Sequence, residues 1–253
     1  MFPKAQMIIE STPAALAHAG ALFFKKTVED GVRMNGRFTV ALSGGTTPQM
    51  MYAVLAQEPF CSAIPWDRID IFWVDERCVP VEDSDSNYGR ARTHFLDQVP
   101  IPADHVHPMP AHMTPPEAAA AYQKELDMHL PKGPGGFPVL DLILLGMGSD
   151  GHTASLLPAD KALDEWEKWV VTVRGGTPDL PRLSLTLPVL NRGRKVVFMV
   201  TGASKAQTVR FVLEEDRLLY PAQSVQPLDG KLVWLLDKAA ASMLTRVISH
   251  EAF

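Results

Sequence analysis

The sequence predicts an α/β fold: a Rossmann-like, mostly parallel sheet with helices on both faces, forming a single domain over residues 1–253. Three observations lead there. Apolar runs alternate with helix-like segments for most of the length, which is the pattern of strands joined by crossover helices. A chain of 253 residues suits one large domain, and a hydrophobic content of 46% is ample for its core. The Pro- and His-rich stretch 99–116 and the Gly/Pro cluster 131–138 read as surface loops, since apolar strands resume on either side.

In chain order, Ser11-Thr12-Pro13 marks a helix start, with helix expected to about Asp30 and Gly31 ending it. Phe38 to Leu42 reads as strand, Pro48 to Ala56 as helix and Ile69 to Val74 as strand. Ser86 to Leu96 and Pro116 to Leu130 read as helices, with Ser86 an N-cap. Leu140 to Leu145, Trp169 to Val173, Lys195 to Thr201 and Lys231 to Leu236 supply further strands, and Ala203 to Leu213 and Lys238 to Ile248 further helices.

The net charge of -5 gives no reason to expect nucleic acid or an anionic membrane as partner. An acidic chain that binds an anion needs a local cationic cluster. Cys61 and Cys78 have no metal-ligand spacing and read as reduced thiols. The first residues lack the apolar core of a signal peptide and no run is long enough to span a bilayer, so a cytoplasmic protein is expected. His105, His107 and His112 read as solvated loop histidines, with no helical His/Glu face or cysteines nearby to complete a metal site, and no metal is expected. Oligomeric state is left open.

The most informative stretch is Val139 to Pro158: a buried strand, a glycine-rich turn, and His152 where a helix should start. Parallel sheets place ligands at the carboxyl ends of their strands, so His152 is expected at the mouth of a site, where an imidazole can trade protons near neutral pH. Gly146, Gly148 and Gly151 also satisfy the dinucleotide Gly-x-Gly-x-x-Gly spacing. Pro158 cuts short any following helix, and the next apolar run ends in Arg174 with no acidic group for a ribose. This weakens a dinucleotide and leaves only NADP open.

Three further segments supply chemistry. Ser43-Gly44-Gly45-Thr46-Thr47-Pro48 follows a strand and opens a helix, where free N–H groups and hydroxyls favour a small phosphate ester. The Gly-Lys-Ser/Thr ending of the nucleotide P-loop is absent. Asp75-Glu76-Arg77 closes another strand: Asp75 suits a proton acceptor or sugar-hydroxyl partner and Arg77 an anion or carbonyl oxygen, or the two brace the loop as an ion pair. Arg182 and Lys205 each put a cation beside the expected site edge, Lys205 in a first helical turn where the dipole disfavours it unless it meets an anion.

Taken together, these segments resemble the 6-phosphogluconolactonase family. The matching stretches are Ser43 to Pro48, Trp73 to Arg77 with Ser86 to Gly89, Gly146 to Leu156, Arg182 to Thr186, and Thr201-Gly202 with Lys205. The resemblance covers nearly the whole chain. It implies hydrolysis of 6-phospho-D-glucono-1,5-lactone in the oxidative pentose phosphate pathway, without metal or cofactor. His152 would be the general base on water, and Arg77 or backbone N–H groups would stabilise the oxyanion. The Ser43 to Thr47 loop (Ser43, Gly44, Gly45, Thr46, Thr47), Arg182 and Lys205 would hold the 6-phosphate. Asp150 either orients the imidazole or caps the expected helix, and Asp75 either acts in the chemistry or braces the site. Ser149 stands where the family pattern has proline.

No Gly-x-Ser-x-Gly elbow supports an acyl-serine route. Glucosamine-6-phosphate deaminase/isomerase shares the glycine loop and the Gly-x-Asp-Gly-His segment. Its chemistry needs a carboxylate five residues after the histidine, where this chain has Leu157. A non-catalytic sugar-phosphate sensor would want a DNA-binding segment or basic patch, and neither is visible.

Overall fold

The structure, a computed structural model, describes residues 5–245. Its elements are β1 (Gln6–Glu10), α1 (Pro13–Asn35), β2 (Phe38–Leu42), α2 (Thr46–Leu55), α3 (Phe60–Ala63), β3 (Ile69–Trp73), β4 (Asp75–Arg77), α4 (Asn87–His94), α5 (Pro115–His129), β5 (Leu142–Leu145), β6 (Val170–Gly175), β7 (Leu180–Leu185), α6 (Leu187–Leu190), β8 (Lys195–Val200), α7 (Ala206–Glu214) and β9 (Lys231–Asp237).

Six strands form one sheet in the order β1-β9-β8-β5-β2-β3, and every neighbouring pair is parallel. Every residue of β2, β3 and β5 is buried. Successive side chains of a strand point to opposite faces, so β2, β5 and even the edge strand β3 are covered on both sides, which is why these strands read as apolar runs. Phe198 of β8 and Trp234 of β9 stack in this core, with centroids 4.1 Å apart and planes at 9°.

The chain leaves β2 for β3 on one side and reaches β5, β8 and β9 on the other. The order therefore reverses between β2 and β5, and the loops at their carboxyl ends part there to leave a crevice. A second, antiparallel sheet of order β4-β7-β6 stands beside this crevice, with Arg77 paired to Arg182 across β4 and β7.

The structure departs from the sequence expectations in several places. Helix α1 runs through Gly31 to Asn35, where Gly36 caps it in the left-handed region at φ 76°. Gly31 instead permits close packing, since a Cβ there would lie 2.4 Å from the Phe38 ring. Strands β1 and β7 were not anticipated. The expected Trp169–Val173 strand exists as β6, but in the small antiparallel sheet.

No helix follows His152. Residues 153–168 form turns, a bridge between Thr153 and Leu156, and one 3-10 turn at Lys161–Asp164. The expected Lys238–Ile248 helix is a set of turns from Lys238 to Met243, where the Asp237 carboxylate accepts from Ala240 N at 2.7 Å and from Gly202 N at 3.0 Å. Residues 246–248 of that expectation lie outside the described residues. Among the described residues, no helix is long and apolar enough to cross a membrane.

Candidate active site

A cavity of about 230 Å³ opens at the crevice between β2 and β5. Ser43, Gly44, Gly45, Thr46, Thr47, Asp75, Arg77, His152, Arg182 and Lys205 all line it. Ten of the eleven residues expected to form a site thus meet in one place. The eleventh, Asp150, sits behind His152 and touches its ring.

The His152 loop is built from the turn Gly148-Ser149-Asp150-Gly151, closed by a bond from Gly151 N to Gly148 O at 3.1 Å. Gly148 N donates to His152 O at 2.9 Å and the Thr153 hydroxyl to Gly146 O at 2.9 Å, which returns the chain to the end of β5. Asp150 Oδ1 lies 2.6 Å from His152 Nδ1. Gly148 makes room for this pair: a Cβ there would lie 2.2 Å from His152 Nδ1 and 2.3 Å from Asp150 Oδ1. Burial raises the Asp150 pKa, but the adjacent His152 charge and hydrogen bonds outweigh it and hold the carboxyl below its ordinary range. Asp150 therefore contacts the imidazole and caps no helix. With Nδ1 engaged, Nε2 is the ring nitrogen left for the cavity.

Asp75 does not pair with Arg77. Its Oδ2 accepts from the Ser155 hydroxyl at 2.7 Å and its Oδ1 from Asn87 Nδ2 at 3.3 Å, so the buried carboxylate ties the loop after His152 to β4 and α4. Arg77 is held instead through Nη1, which donates to Asp85 O at 2.9 Å and to Asn87 Oδ1 at 2.7 Å. Asn87 fits because Gly44 faces it without a side chain: a Cβ on Gly44 would lie 1.8 Å from Asn87 Oδ1. Arg182, almost fully buried, donates from Nε to Gly175 O at 2.8 Å and from Nη2 to Pro178 O at 3.1 Å. Burial first, then the Arg77 charge, lowers the Arg182 pKa, and burial lowers that of Lys205.

Among the described residues, none of Arg77, Arg182 and Lys205 has a carboxylate oxygen within ion-pair distance. Two buried polar atoms at the cavity, Ser43 Oγ and Arg77 Nε, also lack a hydrogen-bond partner among them. Helix α2 begins at Thr46 and points its free N–H groups into the same space. The arrangement places an imidazole, free donors and cations without carboxylate partners among the described residues around one small polar volume.

Residues 11–234 match the family described as Glucosamine-6-phosphate isomerases/6-phosphogluconolactonase. The chain belongs to this family. A 6-phosphogluconolactonase from Synechocystis is 45% identical over 220 residues, covering 86% of this chain and 89% of that one. Its counterpart from Nostoc is 40% identical and covers 96% of this chain and 99% of its own length. The solved 6-phosphogluconolactonase of Trypanosoma brucei superposes with a TM-score of 0.88 at 31% identity, over 96% of this chain and 99% of that chain. A monomeric glucosamine-6-phosphate deaminase shares the fold, with a TM-score of 0.79 at 19% identity over 94% of this chain and 99% of that chain.

Leu157, where the deaminase expectation wants a carboxylate, is partly buried against the core and is not among the residues that line the cavity. The dinucleotide reading of Gly146 to Gly151 lacks its helix, and Arg174 pairs at 3.6 Å with Asp179 away from the cavity. Sequence reasoning did not assign Asn87, Ser155 or Glu76. All three stood inside stretches already singled out, but nothing in the spacing joins Ser155 to Asp75 across 80 residues.

Proposed function

We propose that this protein hydrolyses 6-phospho-D-glucono-1,5-lactone to 6-phosphogluconate, in the oxidative pentose phosphate pathway. The observation that carries the reading is the pairing, in one cavity, of the His152–Asp150 couple with three cations that lack carboxylate partners among the described residues. A doubly charged phosphate supplies what the cations lack, and a lactone carbonyl supplies what the base needs.

The 6-phosphate is placed against Arg182, Lys205 and the Ser43 to Thr47 loop, where the α2 N–H groups point. That anchorage fixes the lactone carbonyl near His152. His152 Nε2 takes a proton from water as the water oxygen bonds to the carbonyl carbon. Negative charge moves to the carbonyl oxygen, where Arg77 Nε or loop N–H groups receive it. The bond from carbon to ring oxygen then breaks, and His152 returns its proton to that oxygen. Asp150 holds the imidazole in one tautomer and stabilises its transient charge. Asp75 is placed as a brace that fixes the His152 loop, and it presents its remaining acceptor sites to a sugar hydroxyl.

The test is acid release from freshly generated 6-phosphogluconolactone with EDTA present, corrected for spontaneous opening. The expected result is acceleration by the intact protein and a loss of about 10²–10⁴-fold in kcat for His152→Ala with KM nearly unchanged. No acceleration overturns the lactonase reading; unchanged turnover in His152→Ala removes that residue from the mechanism.

A further inference from the structure

The amino-terminal edge of the sheet, opposite the cavity, holds a second cluster of titratable side chains. The His107 backbone N–H donates to Ile71 O of β3 at 2.8 Å, and its ring lies flat on Phe72, with centroids 4.5 Å apart and planes at 9°. It is buried, contrary to the expectation of a solvated loop histidine. Glu125 and His129 stand one turn apart on α5 and face it. Glu125 Oε1 lies 2.7 Å from His107 Nδ1 and 3.3 Å from His129 Nε2. One donor atom from each of the three residues falls within 4.8 Å of the others. The helical His/Glu face that the sequence reading found missing is supplied by α5.

We propose that His107, Glu125 and His129 form a binding site for a divalent transition-metal ion of the zinc class, with water completing its coordination. Two imidazoles and one carboxylate suit such an ion, whereas calcium and magnesium prefer oxygen donors throughout. An independent observation supports the assignment. His107 Nε2 is buried without a hydrogen-bond partner among the described residues and lies 3.6 Å from Asp70 Oδ1. Metal-bound imidazoles direct their second N–H at such an outer carboxylate, which fixes the ring and raises its basicity. Asp70 is itself clamped by Arg37, at 3.0 and 2.8 Å, and Arg37 reaches His105 Nε2 at 3.2 Å. Ions have access because Glu125 and His129 are partly exposed, and His129 lines an open cleft of about 570 Å³.

The ion would join the loop before α5, the start of β3 and α5 itself, so its role is to hold this edge of the fold. It takes no part in the hydrolysis, and the proposal stands independently of the lactonase reading.

The experiment is a titration of EDTA-stripped, chelator-free protein with Zn²⁺, followed by calorimetry and by the thermal midpoint, with Co²⁺ as a spectroscopic substitute. One equivalent per chain is expected, with a rise in Tm that saturates with it and the visible absorption of low-coordinate Co²⁺. Asp70→Asn should weaken binding by about 10- to 100-fold, and Glu125→Gln and His129→Gln at least as much, while Glu125→Gln and His129→Gln leave lactone turnover unchanged. His152→Ala should keep the full equivalent, which separates this site from the cavity. Absence of stoichiometric binding, or an equivalent that survives both Glu125→Gln and His129→Gln, would overturn the assignment.

Discussion

His152 owes its position to a turn that residue types alone almost specify. Gly151 N bonds back to Gly148 O, which makes Ser149 the second residue of a four-residue turn. That position favours proline, whose fixed φ suits it and whose missing N–H is not used there. Among the described residues Ser149 contributes only its carbonyl, which accepts from the Thr208 hydroxyl at 2.6 Å and which proline would retain. Ser149→Pro should therefore keep full lactone turnover and raise stability by about 0.4–1 kcal/mol, chiefly by restricting the unfolded chain. Urea unfolding of the two proteins checks this, and a loss of turnover would mean that the turn must flex during the reaction. The same turn explains why the role of Asp150 was not legible. A carboxylate two residues before a histidine serves equally as a helix cap or as an imidazole partner, and only the absence of a helix decides between them.

Between elements, the decisive contact is made by a residue that the sequence left without a role. Glu76 is buried, and its carboxylate accepts from Arg77 N at 2.8 Å, Asn87 N at 2.7 Å, Tyr88 N at 2.7 Å and the Ser86 hydroxyl at 3.2 Å. It pins the start of α4 to β4 and so sets Asn87 against Arg77. Burial pushes its pKa from the ordinary 4.5 up to about 7, against the pull of the three backbone donors. The folded protein thus binds this proton more tightly than the unfolded chain does. The corresponding stability is fully present below pH 4.5 and is lost as the pH rises through about 7. Unfolding free energies measured from pH 4.5 to 8 should show this downward component in the native protein and lack it in Glu76→Gln. Equal slopes would place the Glu76 pKa near its ordinary value.

The apolar patterns that mark β2, β3, β5, β8 and β9 were legible because strands buried on both faces must be apolar throughout. Strand β7 was not, since Pro181 interrupts it and Arg182 within it breaks the apolar run. Strand β1 was missed because only Met7 of its five residues is fully buried, so it shows no apolar run. Glycine and charge motifs marked the cavity because backbone approach and anion binding need particular residue types. The braces Ser155 and Glu76 are ordinary residues whose meaning comes only from the fold.

For the molecule as a whole, a net charge of -5 surrounds a cavity lined by three cations without carboxylate partners among the described residues. On the proposed function, the free protein bears that arrangement as a cost that the anionic substrate relieves. Lys205 shows the trade most cleanly, because burial disfavours its charge and no carboxylate lies within ion-pair reach among the described residues. Lys205→Met removes the desolvated charge and keeps most of the apolar stem, so the free variant should be at least as stable as the native protein. The ligand should separate the two. At 100 times its Kd, the product 6-phosphogluconate should stabilise the native protein by about 2.7 kcal/mol. The same concentration should stabilise Lys205→Met far less, and in the native protein the gain should shrink as salt screens the cavity. Thermal unfolding with and without product, at low and high ionic strength, reads all three quantities. A variant that loses stability when free yet keeps the full gain from product would make Lys205 a structural residue and remove it from the phosphate site.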